Sequence, residues 1–154
     1  MSTLSVTVIA HNERRNIEAC LASVLESAPP CGDWRVLVVD DGSSDDTYDK
    51  ALAAARASRF VPVRVITKKN GGKADALNTG MMHARGEFIL NMDGDTKLSP
   101  NTLRACIRHF QDPRIGAVAR GATDMARRRA MRSSIGGCVE NRLAMPPPDS
   151  GLKM

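Results

Sequence analysis

Residues 91–96 read NMDGDT, so Asp93 and Asp95 stand one glycine apart directly after the apolar run Phe88-Ile89-Leu90. If that segment is extended, alternate side chains share a face and the two residues stand roughly 6–7 Å apart at the backbone. Two full charges about 6 Å apart repel by about 3 kcal/mol at an effective dielectric near 20. A chain keeps such a pair at low cost in open water, as in an ordinary Asp-Gly turn, or around a cation. Three more polar clusters sit behind apolar runs in the same way. AHNE (10–13) follows SVTVIA, DDGSSDD (40–46) follows WRVLVV, and NGGKADALN (70–78) follows VPVRVI. Together these offer carboxylates for a hard cation, a lysine and glycine-rich backbone for phosphate, and further carboxylates to accept from a base or ribose. The pattern is a nucleoside-diphosphate site of another kind than the phosphate loop GxxxxGK[ST] or a GxGxxG turn, neither of which is present.

The elements that must position these residues alternate. Short apolar stretches rich in β-branched residues at 5–10, 34–39, 61–66, 86–92 and 115–119 predict strands. Ile17, Cys20, Leu21, Val24 and Leu25 fall at helical spacing, with Asn12 as a plausible N-cap, Glu13 near the positive helix end and a stop near Pro29-Pro30. Ser43 and Asp46 have capping-box spacing ahead of a helix at 45–58, a third helix reads at 73–84, and Ser99-Pro100 form an N-cap and N1 pair for a helix at 100–110. Strands alternating with helices predict an α/β fold with a mostly parallel sheet covered on both faces, in which ligands gather beyond the carboxyl ends of the strands.

Composition bounds the alternatives. With 154 residues, 42% hydrophobic and 25% charged, the chain supports one ordinary core. The N-terminus has neither a basic leader region nor a long apolar stretch, and no run reaches a membrane span, which makes the cytoplasm the expected compartment. Cys20, Cys31, Cys106 and Cys138 lack metal-ligand spacing and read as free thiols. The net charge of +5 suits an anionic partner. An aromatic content of 3% and the lack of a recognisable RNA- or DNA-binding motif argue against nucleic acid. ARRRAMR (126–132) reads as a solvated basic face.

Over about residues 4–120 the chain resembles the family 2 glycosyltransferases with the GT-A fold, a Rossmann-like three-layer sandwich. The resemblance rests on VTVIAHNERRNIEACLASVL, VLVVDDGSSDDT, NGGKADALNTGMMHARGEFILNMDGDT and FQDPRIGAVA. GGKADALN followed by DGDT and DPRIGAVA looks most like the membrane-bound, processive branch that makes β-linked polysaccharides such as poly-N-acetylglucosamine, chitin-like oligomers, hyaluronan or cellulose. The resemblance implies a metal-dependent inverting transfer from a nucleotide-diphosphate sugar, UDP-linked, to a growing glycan. Asp93 and Asp95 then match the DxD motif that holds Mg²⁺ or Mn²⁺ against the diphosphate. Asp40 and Asp41 match the acidic pair that contacts uracil and ribose, with turn or capping duty as the alternative for Asp41. Ala10, Asn12 and Glu13 sit where the first strand meets the nucleotide. Lys73 matches a lysine near base and phosphates, or is a solvated residue opening its helix, and Asn78 either joins the site or caps.

The same resemblance fails where the family does its chemistry. No downstream acidic base motif, QxxRW acceptor motif or membrane helix follows Asp95. Glu140, in GCVENRLAM, resembles instead the helix after the fifth strand, where it reads as an exposed glutamate. Residues 1–120 are therefore expected to form a nucleotide-sugar-binding subdomain and 121–154 a basic C-terminal segment, with the acceptor half of the fold missing. The alternative to a working transferase is a non-catalytic nucleotide-sugar-binding fragment. By resemblance the expected place of action extends to the inner face of the cell membrane.

Overall fold

A computed structural model describes residues 3–29, 32–112, 114–115, 117–121 and 137–142. In chain order these form β1 (Thr3–Ala10), α1 (Ile17–Leu25), β2 (Asp33–Asp40), α2 (Thr47–Ala57), β3 (Val63–Thr67), α3 (Lys73–His83), β4 (Phe88–Asp93), α4 (Thr102–His109), β5 (Ala117–Gly121) and β6 (Gly137–Arg142). The sheet order is β3-β2-β1-β4-β6-β5. β1, β2, β3 and β4 run parallel, and β6 pairs antiparallel with both β4 and β5.

Alternation along each strand assigns the two faces. Leu4, Val6 and Val8 of β1, Val36 and Val38 of β2, and Leu90 and Met92 of β4 face one way. They pack against Ile17, Leu21 and Val24 of α1, Ala51 of α2, and Leu103 of α4 with Phe110 just beyond it. Phe88 and Phe110 close the end of this core with ring centroids 5.0 Å apart. The intervening residues Ile9, Leu37 and Val39 face the other way, against Ala76 of α3. Gly80 brings α3 close to β1: a Cβ there would lie 2.5 Å from the Thr7 methyl.

Several local expectations change. Asn12 does not cap α1, whose N-cap position is Asn16; it adopts φ 53°, and its side-chain oxygen accepts from the Ser44 N–H at 2.9 Å. The Ser43/Asp46 capping box does not form, because the Ser43 hydroxyl accepts the Asn12 N–H and Asp45 takes the Thr47 N–H. Ser99-Pro100 form a turn one residue ahead of Asn101, the N-cap position of α4, with the Ser99 carbonyl accepting from Thr102. The segment around Glu140 is a strand, not a helix. Pairing on both edges with β4 and β5 outweighs its weak local preference, a tertiary override of propensity. β6 thus brings part of the C-terminal segment into the same sheet as β1–β4. Cys31, residues 126–132, the terminal MPPPDSGLKM and the Glu140 side chain lie outside the described residues. No helix among the described residues is long and apolar enough to cross a membrane.

Candidate functional site

The strand order 3-2-1-4 reverses direction at β1. In an open parallel sheet that switch point leaves a crevice beyond the carboxyl ends of β1 and β4. Ala10 ends β1 and Asp93 ends β4, so the register brings the AHNE and DGD segments to this crevice, with β2 and its DDGSSDD segment beside them.

Backbone hydrogen bonds brace the rim. The Ala10 carbonyl accepts the Asp41 N–H at 2.9 Å, and the Ile9 carbonyl accepts the Gly94 N–H at 2.8 Å. Gly94 permits that approach, since a Cβ there would lie 3.1 Å from the Ala10 Cβ. Asp93 and Asp95 are not two positions of an extended strand as expected. Thr96 N–H donates to the Asp93 carbonyl at 3.0 Å, so the chain turns at Gly94. Asp93 ends half-buried on the α3 side and Asp95 is exposed.

Odd and even positions separate the acidic pair. Asp40 and Asp41 are only 2% and 3% exposed. Asp40 Oδ2 accepts the Thr67 hydroxyl at 2.8 Å and Oδ1 the Ser43 N–H at 3.3 Å. Asp41 faces the loop before α3. Its Oδ1 accepts Lys68 Nζ at 2.7 Å and the Gly71 N–H at 3.0 Å, and Oδ2 accepts the Gly72 N–H at 2.9 Å. The amides expected to receive phosphate are thus held by a carboxylate of the protein itself. Burial is the largest single influence on the Asp41 carboxyl and raises its pKa. The Lys68 and glycine hydrogen bonds together outweigh it and hold the group below the ordinary aspartate value. Lys68 also reaches Asp75, and both acids raise its pKa.

That clamp sets the first residue of α3. Lys73 Nζ lies 2.9 Å from both carboxylate oxygens of Asp93. Glu13 anchors the turn into α1: its carbonyl accepts from Asn16 and Ile17, and its carboxylate accepts the Asn16 amide at 2.8 Å. Cys20, buried beneath the rim, donates to the Asp93 carbonyl at 3.7 Å. Burial first, then the charges of Asp95, Glu13 and Asp93, push its pKa up to about 12. Asn78 is exposed, beyond the first turn of α3.

Two rim residues escaped the sequence reading. His11 Nδ1 donates to the Asp41 carbonyl at 2.9 Å, and the Asn70 amide lies 3.3 Å from His11 Nε2. Only their position inside the two polar clusters pointed to them.

Among the described residues no group of three or more His, Cys, Asp or Glu side chains forms a complete metal cage. Asp93 and Asp95 still fit a hard divalent ion: they offer oxygen donors only, and among the described residues Asp95 has no hydrogen-bond partner closer than the Thr96 hydroxyl at 3.5 Å. Mg²⁺-type sites take one or two carboxylates and fill the remaining positions with phosphate oxygens and water.

The family profile for glycosyl transferase family 2 matches residues 5–147. The undecaprenyl-phosphate 4-deoxy-4-formamido-L-arabinose transferase of Shewanella sediminis is 26% identical over 98% of this chain and 46% of its own length. The poly-beta-1,6-N-acetyl-D-glucosamine synthase of Staphylococcus aureus is 30% identical over 75% of this chain and 27% of its own length. Among solved structures, the mannosyltransferase PcManGT from Pyrobaculum calidifontis, in complex with GDP-Man and Mn²⁺, superposes with a TM-score of 0.80 at 26% identity, covering 90% of this chain and 44% of that one. S. aureus TarS 1–349 in complex with UDP-GlcNAc gives 0.65 at 26% identity, covering 75% and 33%. The chain thus spans less than half the length of each of these relatives, and its sheet matches their GT-A fold. On the match across residues 5–147, the chain belongs to glycosyl transferase family 2.

Proposed function

We propose that this chain carries the donor side of a metal-dependent glycosyltransferase, binding a nucleoside-diphosphate sugar at the β1/β4 crevice for transfer to a glycan. The observation that carries this reading is the convergence of Asp93, Asp95 and Lys73 on the switch point of the sheet. Asp93 and Asp95 would hold a divalent cation, Mg²⁺ or Mn²⁺, for the diphosphate of the donor. Bound there, such an ion would supply positive charge for the departing nucleoside diphosphate. Lys73, set by the Asp41 clamp, donates to a diphosphate oxygen. Ribose or uracil takes the acceptor positions left on Asp40 and Asp41, with Ala10, His11, Asn12 and Glu13 shaping the wall beside them. Presence of Mn²⁺ and GDP-Man in PcManGT and of UDP-GlcNAc in TarS supports the donor class. Of the two nucleosides those neighbours bind, uridine is the one proposed for this chain.

A second reading, donor binding without transfer by these residues alone, is favoured by one observation. Transfer requires a base for the acceptor hydroxyl, typically worth 10²–10⁴ in rate. Beyond Asp95 the carboxylate with a described side chain is Asp112, which is engaged by Arg114 at 2.7 Å.

Calorimetry with UDP and GDP, with and without Mn²⁺, tests the site. UDP is expected to bind more tightly than GDP, at least tenfold tighter with Mn²⁺ than without, and Asp95→Asn to abolish the metal effect. Equal affinity with and without Mn²⁺ in the parent chain would overturn the assignment. Incubation of the chain with UDP-N-acetylglucosamine, Mn²⁺ and short oligosaccharides separates the two readings: elongation near 1 per second, an ordinary enzyme rate, eliminates the second.

A further inference from the structure

The opposite end of the sheet carries a second concentration of charge. Ser5 pairs in register with Arg35, and Leu37 with Arg64, so these four side chains share the α3 face near the strand starts. α3 covers the carboxyl half of this face and ends at His83. The chain then crosses to β4 through Ala84 and Arg85, and Arg85 is tied to β1 by its N–H donating to the Ser5 hydroxyl at 3.0 Å. Between the end of α3 and the sheet lies a cavity of about 220 Å³, lined by Ser5, Arg35, Leu37, Arg64, His83 and Arg85 among others, with no Asp or Glu among the described residues of its wall.

Three arginines therefore line one small space. Asp33 approaches Arg35 at 3.6 Å with both side chains well exposed, and neither Arg64 nor Arg85 makes an ion pair among the described residues. The negative end of α3 opposes an anion here, but its effective charge is roughly half a unit, against three guanidinium charges of which Asp33 opposes the one on Arg35. His83 Nδ1 donates to the Thr79 carbonyl at 2.9 Å, which orients the ring with Nε2 free of that bond.

We infer that this cavity is a second anion site, distinct from the donor crevice, that binds a phosphate group. A monocarboxylate would leave most of the positive charge uncompensated, whereas phosphate and diphosphate present several oxygens that match guanidinium forks. The volume lies below the 300–1,000 Å³ range of sites for drug-sized ligands, which favours inorganic phosphate, diphosphate or a terminal phosphomonoester over a whole nucleotide. The site does not depend on the donor assignment, because its residues lie at the other end of α3, about 16 Å of helix from Lys73. Occupancy ties the end of α3 to the edge strand β3 and so stabilises the folded chain by mass action.

The test is thermal unfolding of the full chain with increasing diphosphate, in EDTA and at constant ionic strength set with KCl. A saturable rise in Tm is expected, retained in Asp95→Asn and weakened at least tenfold in apparent affinity in Arg64→Gln/Arg85→Gln. Both replaced side chains are exposed, and circular dichroism checks that the double variant folds. Amide NMR shifts on adding diphosphate should map to Ser5, Arg35, Arg64 and Arg85 and spare Asp93–Asp95. Because a lipid headgroup presents the same phosphate, phosphatidylcholine vesicles containing phosphatidic acid form a second arm. Co-sedimentation of wild type but not the double variant identifies a membrane-borne phosphate, and a Tm response without co-sedimentation identifies a soluble one. A Tm response unchanged in the double variant, or one reproduced by KCl alone, would overturn the site.

Discussion

Asp41→Ala separates a clamp from a ligand contact. The wild-type carboxylate is 3% exposed and accepts from Lys68 Nζ and the Gly71 and Gly72 N–H groups. Hydrogen bonds to a charged group contribute about 1.5–3 kcal/mol each. Three considerations reduce the sum. Lys68 retains Asp75 and solvent, the exposed glycine amides regain water, and removing the carboxylate also removes its own burial cost. The net loss is then about 2 kcal/mol, or about 4–8 °C in Tm for a chain of this size. The sign with pH follows from the lowered pKa of the folded state. The contribution is complete above the ordinary aspartate pKa and fades as pH falls through the lower folded value, so the gap between wild type and variant narrows only in acid. Urea unfolding at pH 7 and again near pH 2.5 measures both points. UDP affinity should fall as well, because the loop that places Lys73 is released. A variant as stable as wild type at pH 7, or a stability gap that persists unchanged at pH 2.5, would refute the clamp.

Other outcomes follow from the same packing. Lys73→Met should change stability by less than about 1 kcal/mol, since its ion pair with Asp93 is partly exposed, yet weaken UDP-Mn²⁺ binding at least fivefold by calorimetry. Gly80→Ala should gain about 1 kcal/mol of helix propensity but lose more, about 1–3 kcal/mol, to overlap with the Thr7 methyl. Thr7→Ser should restore stability in the double variant, as read by urea unfolding, and Gly80→Ala alone raising stability would contradict the contact. Cys20, with its thiol pKa near 12, should resist a thiol-specific disulfide reagent at pH 8 in the folded chain and react fully in denaturant.

The sequence by itself determined the alternating strands and helices, the parallel core sheet, and the concentration of polar clusters at the carboxyl ends of its strands. These are local matters: hydrophobic period, β-branching and turn residues act over a few positions. Where Asp93 and Asp95 lie along the chain was equally legible. Their geometry was not, because the turn at Gly94 depends on the Ile9 carbonyl of a neighbouring strand. Adjacent Asp40 and Asp41 look alike in sequence, yet Asp40 closes β2 beside the Thr67 hydroxyl while Asp41, just past the strand, meets Lys68 and the glycine amides before α3. The arrival of Gly71 and Gly72 at Asp41 is a contact across about thirty positions. Asn12 read as a cap because caps are local, whereas its φ of 53° and its bond to Ser44 join two separate loops. The strand at 137–142 was hidden for the same reason, since its pairing partners β4 and β5, and not its own residues, make it extended. The cavity with Arg35, Arg64 and Arg85 collects residues from three segments of weak individual signal. Only the register of β1, β2 and β3, together with the length of α3, decided that they meet.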